Sequence, residues 1–501
     1  MTIAATRSIR RAALGTVLLT MALAGSAAAQ TPPRELSLEE AIRLAHMYNP
    51  DYLAQEVQAE RAAWANRQAW AGFLPTANVS QTLGYSASGE RRFESVQLAT
   101  QPGTYSSRYS FGINYSLSGA TFLRPGLVRE QNRATEAVID GASAGLRETV
   151  TQAYLNVAQA DARLAQARTE LERTRSYVRQ AEARVDVGAA TPLDVRRTEV
   201  QLGQAEVQLL QAENAAATAR LALSRVLGIR LADDVALTTR FEIFEPNLDV
   251  EQLLARALEN NPVLRASRSR ASAARAQTRV ARTQYLPSLS VSANWSGSVF
   301  KSAEIDPLVA DRLRQLSSQF ESCVRDNRIR ELIGDPARDC SPMDATDPAV
   351  VSEVRRTIAE QNTGFPFSFT PQPRTISLTV SLPIFNGFTR ELQLQEARIA
   401  ETAAMHQLRS EELRLRAEVE TAVRAVQMSR QMVELQRRIR ETAAEELRLA
   451  NERYRLGLAS SIEVVDAQTN LAQAERDEIT AIFDFHRAIA SLEALVGAPI
   501  R

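Results

Sequence analysis

The chain has 501 residues, with 59 basic and 59 acidic side chains and a formal net charge of zero. That balance lacks the basic footprint of a nucleic-acid-binding surface. The three histidines, His46, His406 and His486, are far apart in sequence and show no metal-ligand spacing with the two cysteines; each is expected on a helix surface. No phosphate loop, dinucleotide fingerprint or nucleophile elbow occurs, so no catalytic residue, metal or cofactor is expected.

In chain order, Arg7, Arg10 and Arg11 precede an apolar run from Ala12 to Ala24, and Ala27-Ala28-Ala29 supplies a small-residue cleavage pattern. This predicts a secretory signal peptide over residues 1–29. The alternative, a membrane-anchoring helix, needs ~20 apolar residues, more than the run offers. No cysteine follows the cleavage region to accept a lipid, so anchoring is expected from the fold itself.

Beyond residue 29 the chain is a duplication. Asn49-Pro50 aligns with Asn261-Pro262 and Leu74-Pro75 with Leu286-Pro287 at a constant offset of 212 (262 − 50, 287 − 75). Val187-Gly188 aligns with Leu456-Gly457, and Gly228 with Gly497, at an offset of 269 (457 − 188, 497 − 228). The first copy, residues 30–247, opens with helices Leu38–Tyr48 and Asp51–Gly72 broken at Asn-Pro. Strands near 76–86 and 107–117 come next, then a helix from about Leu127 to Asp186, weakened near its start by Gly141 and Gly145, and a return helix from Leu193 to Leu227.

The second copy, residues 248–501, repeats the order with helices Val250–Asn260 and Val263–Tyr285, strands near 288–298 and 374–384, and helices Phe388–Arg455 and Ile462–Val496. Phe388 to Arg455 contains no glycine or proline, and Val419, Val423, Val426 and Val433 recur at coiled-coil spacing. The added length of the second copy falls at about 301–372. Its polar composition and Pro307, Pro336, Pro342 and Pro348 predict a long surface loop, with a short helix near Ala310–Arg325. Cys323 and Cys340 both lie there, and in an exported protein they are expected to pair.

The four strand segments alternate with period 2: Val79, Leu83 and Tyr85 against serines and threonines; Tyr109, Phe111, Ile113 and Tyr115; Leu289, Val291 and Trp295; Ile376, Leu378, Val380 and Leu382. A half-buried soluble sheet gives the same alternation. Strands of about 10 residues also suit a tilted outer-membrane span, with Tyr85, Tyr109, Tyr115 and Trp295 as interfacial aromatics. Four such strands cannot close a barrel, and lipid tolerates no open edge.

Taken together, the Asn-Pro helices, the Leu-Pro steps, Ser381-Leu382-Pro383-Ile384-Phe385-Asn386-Gly387 and the run Tyr454-Arg455-Leu456-Gly457-Leu458 through Ile462-Glu463-Val464-Val465-Asp466-Ala467 resemble the TolC family of outer-membrane efflux and secretion proteins. The resemblance implies an α+β membrane protein: long antiparallel coiled-coil helices forming an α-barrel, with four transmembrane strands per protomer closing a 12-stranded β-barrel in a homotrimer. It implies a passive exit duct spanning outer membrane and periplasm, working with a periplasmic adaptor and an inner-membrane RND or ABC transporter. Glu463 and Asp466 match positions that constrict the family's periplasmic entrance, Asp194 offers a third carboxylate, and Arg197 aligns with Asp466. Val187, Gly188, Ala189, Leu456, Gly457 and Leu458 match the tips that meet the adaptor.

Acids in a first helical turn also serve simply to complement the helix dipole. Where family members carry a turn arginine, this chain has Leu458-Ala459-Ser460-Ser461, leaving Arg196, Arg197 or Arg455 as partners for the acids. The competing reading is an exported structural coiled coil or a periplasmic adaptor.

Overall fold

A computed structural model describes residues 34–93, 96–232 and 235–500; residues 1–29, expected to be a signal peptide, lie outside them. The elements in chain order are β1 (Glu35–Leu36), α1 (Leu38–Tyr48), α2 (Pro50–Ala71), β2 (Thr76–Ser86), β3 (Gly89–Phe93), β4 (Val96–Gln101), β5 (Thr104–Leu117), α3 (Gly119–Asp186), α4 (Pro192–Leu227), β6 (Ala236–Leu237), α5 (Val250–Asn260), α6 (Pro262–Arg282), β7 (Ser288–Ser302), α7 (Asp306–Ile333), α8 (Pro348–Gln361), β8 (Thr370–Pro371), β9 (Thr375–Ser381), α9 (Thr389–Arg455) and α10 (Ser461–Val496). Two compact units cut across the two sequence copies. One gathers residues up to 62, 132–271 and 404–501, and the other 63–131 and 272–403. Each therefore takes corresponding parts of both copies.

The first unit is helical, and its cores repeat the duplication. Val150, Tyr154, Val157 and Leu223 are buried with Ala41 and Ala45. Their counterparts Val419, Val423, Val426 and Leu492 are buried with Leu253 and Ala257. The valine spacing of α9 is thus its buried seam. The Asn-Pro pair explains itself in both copies. Asn49 accepts the Tyr52 N–H at 2.8 Å, capping α2, and its amide donates to the Val226 carbonyl at 2.7 Å. Asn261 likewise accepts from the Leu264 N–H at 3.1 Å and donates to the Leu495 carbonyl at 3.2 Å. Proline follows because the first helical residue needs no N–H partner.

Two expectations change here. Helix α3 begins at Gly119, well before Leu127, and runs on through Gly141 and Gly145. Pro125 forfeits one backbone bond near its N-terminus, and a glycine penalty of about 1 kcal/mol each is small beside the packing along such a helix. His486 is buried, not on a helix surface, with ring centroids 5.2 Å from both Phe241 and Phe485.

The second unit carries an antiparallel sheet in the order β2-β5-β7-β9, with β8 also pairing β7. Its register stacks Val79, Phe111 and Trp295 in one row, and Ile113, Ala293 and Ile376 in another. One face is therefore apolar. The other is hydroxyl-lined, with Ser80–Ser110 and Ser292–Ser377 contacts at 2.8 and 2.7 Å. Gly297 is needed beneath Tyr109, since an added Cβ would lie 2.5 Å from its ring. A second hairpin, β3–β4, extends beyond β2 and was not expected from the sequence.

The insertion is not a loop with one short helix; it holds helices α7 and α8, of 28 and 14 residues. Its prolines were misleading as breakers. Pro307 and Pro348 stand in first turns, where their fixed φ favours the helix, and Gly334 ends α7 in the left-handed conformation. Cys323 on α7 is disulfide-bonded to Cys340 in the loop after it, with Asn327 bonded to both backbone polar groups of Arg338 at 2.8 Å. Replacing both cysteines with serine frees a loop spanning 17 residues, a loss of about 3 kcal/mol of local constraint. Limited proteolysis should then cut between Gly334 and Asp347 much faster, while fragments containing the sheet stay resistant.

Candidate functional site

Two helix-turn-helix tips of the first unit are built by the same local rules. At each, glycine ends the incoming helix with a left-handed φ, +73° at Gly188 and +74° at Gly457. Gly188 and Ala189 donate to Val185 and Arg184 at 2.9 and 2.7 Å; Gly457 and Leu458 donate to Tyr454 and Arg453 at 3.1 and 2.8 Å. This pair of bonds is the Schellman arrangement. The outgoing helix then starts with a hydroxyl residue and an acid three positions on. Ser460 and Glu463 form a reciprocal capping box, the Glu463 carboxylate accepting the Ser460 N–H at 3.2 Å. Asp194 accepts the Thr191 N–H and hydroxyl at 2.9 and 2.8 Å.

The tips expose apolar side chains around the turns, Val187 at 77%, Leu456 at 74% and Leu458 at 65%. Above them, Val464, Ala467 and Leu471 of α10 pack on Ala443 and Leu447 of α9, with Tyr177 of α3 alongside.

The expected acids separate in role. Asp194 links the tips, because the Ser461 hydroxyl donates to its second carboxylate oxygen. That bond, then those from Thr191, hold the Asp194 carboxyl below its ordinary range, with Arg197 at 4.0 Å adding to the effect. Glu463 is exposed and pairs with Arg453 at 3.5 Å. Asp466, one turn on, makes no ion pair among the described residues. Arg196 is occupied by Glu199 at 2.7 Å.

Sequence reasoning missed Arg453, Ser461 and Arg184. The Arg184 guanidinium lies 4.1 Å over the Tyr454 ring and donates to the Tyr454 carbonyl at 3.1 Å. The Ser-x-x-Glu spacing was a signal for the cap. Nothing local marks Arg184, which meets Tyr454 only across the fold.

Among the described residues no helix is long and apolar enough to cross a membrane. Strands with one apolar face, combined with helices of 68 and 67 residues, define the class of outer-membrane channel proteins that join a β-sheet wall to long helices. The sequence matches the outer membrane efflux protein family over residues 41–229 and 351–498, and the chain belongs to that family.

Solved structures with this fold include the CmeC outer membrane channel of Campylobacter jejuni, at 16% identity and TM-score 0.68, covering 92% of this chain and 85% of that one. VceC of Vibrio cholerae aligns at 17% and 0.65, covering 93% and 97%. The open-state MtrE outer membrane channel of Neisseria gonorrhoeae aligns at 17% and 0.67, covering 94% and 90%. No curated protein matches the sequence. The family is one of channels, not enzymes, and an exported rod or adaptor is not favoured. The family match skips residues 230–350, which include α7 and both cysteines.

Proposed function

We propose that three copies close one barrel, four long strands from each giving twelve, and that the assembly is the passive exit duct of a tripartite efflux pump or type I secretion system. The observation that carries this is the sheet itself. Strands β2 and β9 each pair on one side only, while their apolar residues Val79, Leu83, Ile376 and Leu378 are exposed. In lipid such edges are untenable unless neighbouring copies pair with them.

The helical tips form the periplasmic entrance. Rings of Glu463 and Asp466 favour cations there, and the exposed apolar turns at Val187 to Ala189 and Leu456 to Leu458 meet a periplasmic adaptor, which couples the duct to an inner-membrane RND or ABC transporter. The Ser461–Asp194 bond takes the place of the missing turn arginine in tying the two tips. The protein reconstituted in planar bilayers should give cation-preferring channels. Glu463→Ala with Asp466→Ala should raise conductance and weaken block by multivalent cations; an unchanged conductance would leave Glu463 its helix cap alone and Asp466 no part in the entrance. A photo-crosslinker at Ala459 in cells should capture the adaptor.

A further inference from the structure

We infer that a cavity of the helical unit, between α3 and α9, is a binding site for an organic cation with an apolar body. It lies within one unit of one chain, so it rests neither on the closing of a trimer nor on the role of the tips. Its volume is about 710 Å³, the size of a small-molecule site, and the start of α6 and the end of α10 complete its walls.

Two glycines hold it open. Gly141 and Gly145 stand one turn apart in the interior of α3, where glycine is the least favoured residue after proline. Neither has a positive φ. Packing does not require them either: a Cβ at Gly145 would meet nothing within 4 Å, and one at Gly141 only the Pro262 ring at an ordinary 3.7 Å. Both line the cavity, with Ala144 between them. Their effect is to leave space, and space kept at a cost to the helix is space for something to enter.

Duplication alone does not produce this lining. Under the offset of 269, Gly145 corresponds to Arg414 and Glu148 to Ala417 (414 − 145, 417 − 148), and all four line the cavity. One wall thus lacks a side chain, and carries an acid, where the other has a long base and a methyl group. The buried seam keeps the same offset unchanged, Val150 matching Val419, so the scaffold is held while the cavity diverges.

The lining selects charge and shape. Its floor is apolar, with Leu264 and Leu415 buried and Leu495 half-buried. Three acids, Glu148, Glu411 and Glu418, line it beside one base, Arg414, which is already paired with Glu411 at 3.0 Å and Glu418 at 3.5 Å. Glu148 is half-buried and makes no ion pair among the described residues; it accepts the Gln152 amide at 3.0 Å. Burial pushes its carboxyl above the ordinary value, against the hydrogen bonds from Ser491 and Gln152. A carboxylate that has lost part of its hydration without gaining a counter-charge is stabilised by an incoming cation. The leucine floor is stabilised by an apolar body that displaces water from it. A metal ion fits less well, since no three His, Cys, Asp or Glu side chains among the described residues are grouped to hold one.

The test is equilibrium dialysis of the full-length protein in detergent against radiolabelled tetraphenylphosphonium, with the isosteric anion tetraphenylborate in parallel. The wild type should bind the cation saturably and take up the anion only by partition into micelles. Glu148→Gln should weaken the cation roughly tenfold or more. Gly145→Leu, which fills the cavity with a better helix former, should abolish saturable binding. Glu172→Gln, an exposed acid on the same helix, should change nothing. Far-UV circular dichroism checks that each variant keeps its helix content. The site would be overturned by a wild type with no saturable binding, by saturable uptake of the anion, or by cation binding that survives Glu148→Gln and Gly145→Leu unchanged.

Discussion

Gly228→Ala is expected to destabilise the helical unit far more than the same change at the tip glycines. All three positions are left-handed, with φ of +74° at Gly228, +73° at Gly188 and +74° at Gly457, so each alanine carries a conformational cost of about 1–2 kcal/mol. At Gly188 and Gly457 nothing lies within 4 Å of the added Cβ. At Gly228 the Cβ would lie 2.1 Å from the Tyr48 carbonyl oxygen and 2.6 Å from its carbon. Those are backbone atoms at the α1–α2 junction, held by the bond from Asn49 to the Val226 carbonyl, so they cannot swing aside as a side chain would. Relief requires undocking the end of α4, a loss above about 4 kcal/mol. Thermal scans of the detergent-solubilised variants at one scan rate should show a large drop for Gly228→Ala and small ones for the tip variants. Equal drops would mean that the close approach is not needed.

The sequence carried the architecture because duplication doubles every signal: the Asn-Pro caps, the valine seam and the serine-alternating strands each occur at a fixed offset. It failed where one residue type has two meanings. Pro307 and Pro348 read as breakers but start helices, a distinction that depends on whether an N–H is needed at that place. His486 looked like a surface histidine because its neighbours Phe241 and Phe485 come from one distant and one adjacent position. At the tips, Asp194 and Glu463 were legible as acids in first turns. Their different partners, Ser461 and Arg453, were not, since a polar contact across two helices leaves no periodicity.

Breaking the Asp194–Ser461 tie should open the entrance under the trimer reading. Asp194→Asn removes the charge that makes its hydrogen bonds strong and weakens the Arg197 contact, whereas Ser461→Ala removes only the link between tips and leaves the bonds from Thr191 intact. A coupling of about 1–3 kcal/mol would shift the open-to-closed ratio roughly 5- to 150-fold, seen as longer and more frequent high-conductance states in single-channel records. Both variants should show it. If only Asp194→Asn does, the helix cap and not the tie controls closure.

The pH dependence has a fixed sign. The Asp194 carboxyl is held below its ordinary value, 3.8, chiefly by the Ser461 hydroxyl. A depressed acid contributes its stabilisation above the ordinary value and loses it as pH falls through the folded one. The wild-type entrance should therefore keep its low conductance down to about pH 4 and open only below it, and Asp194→Asn should lack that acid step. A step near neutral pH in the wild type would assign closure to a different group.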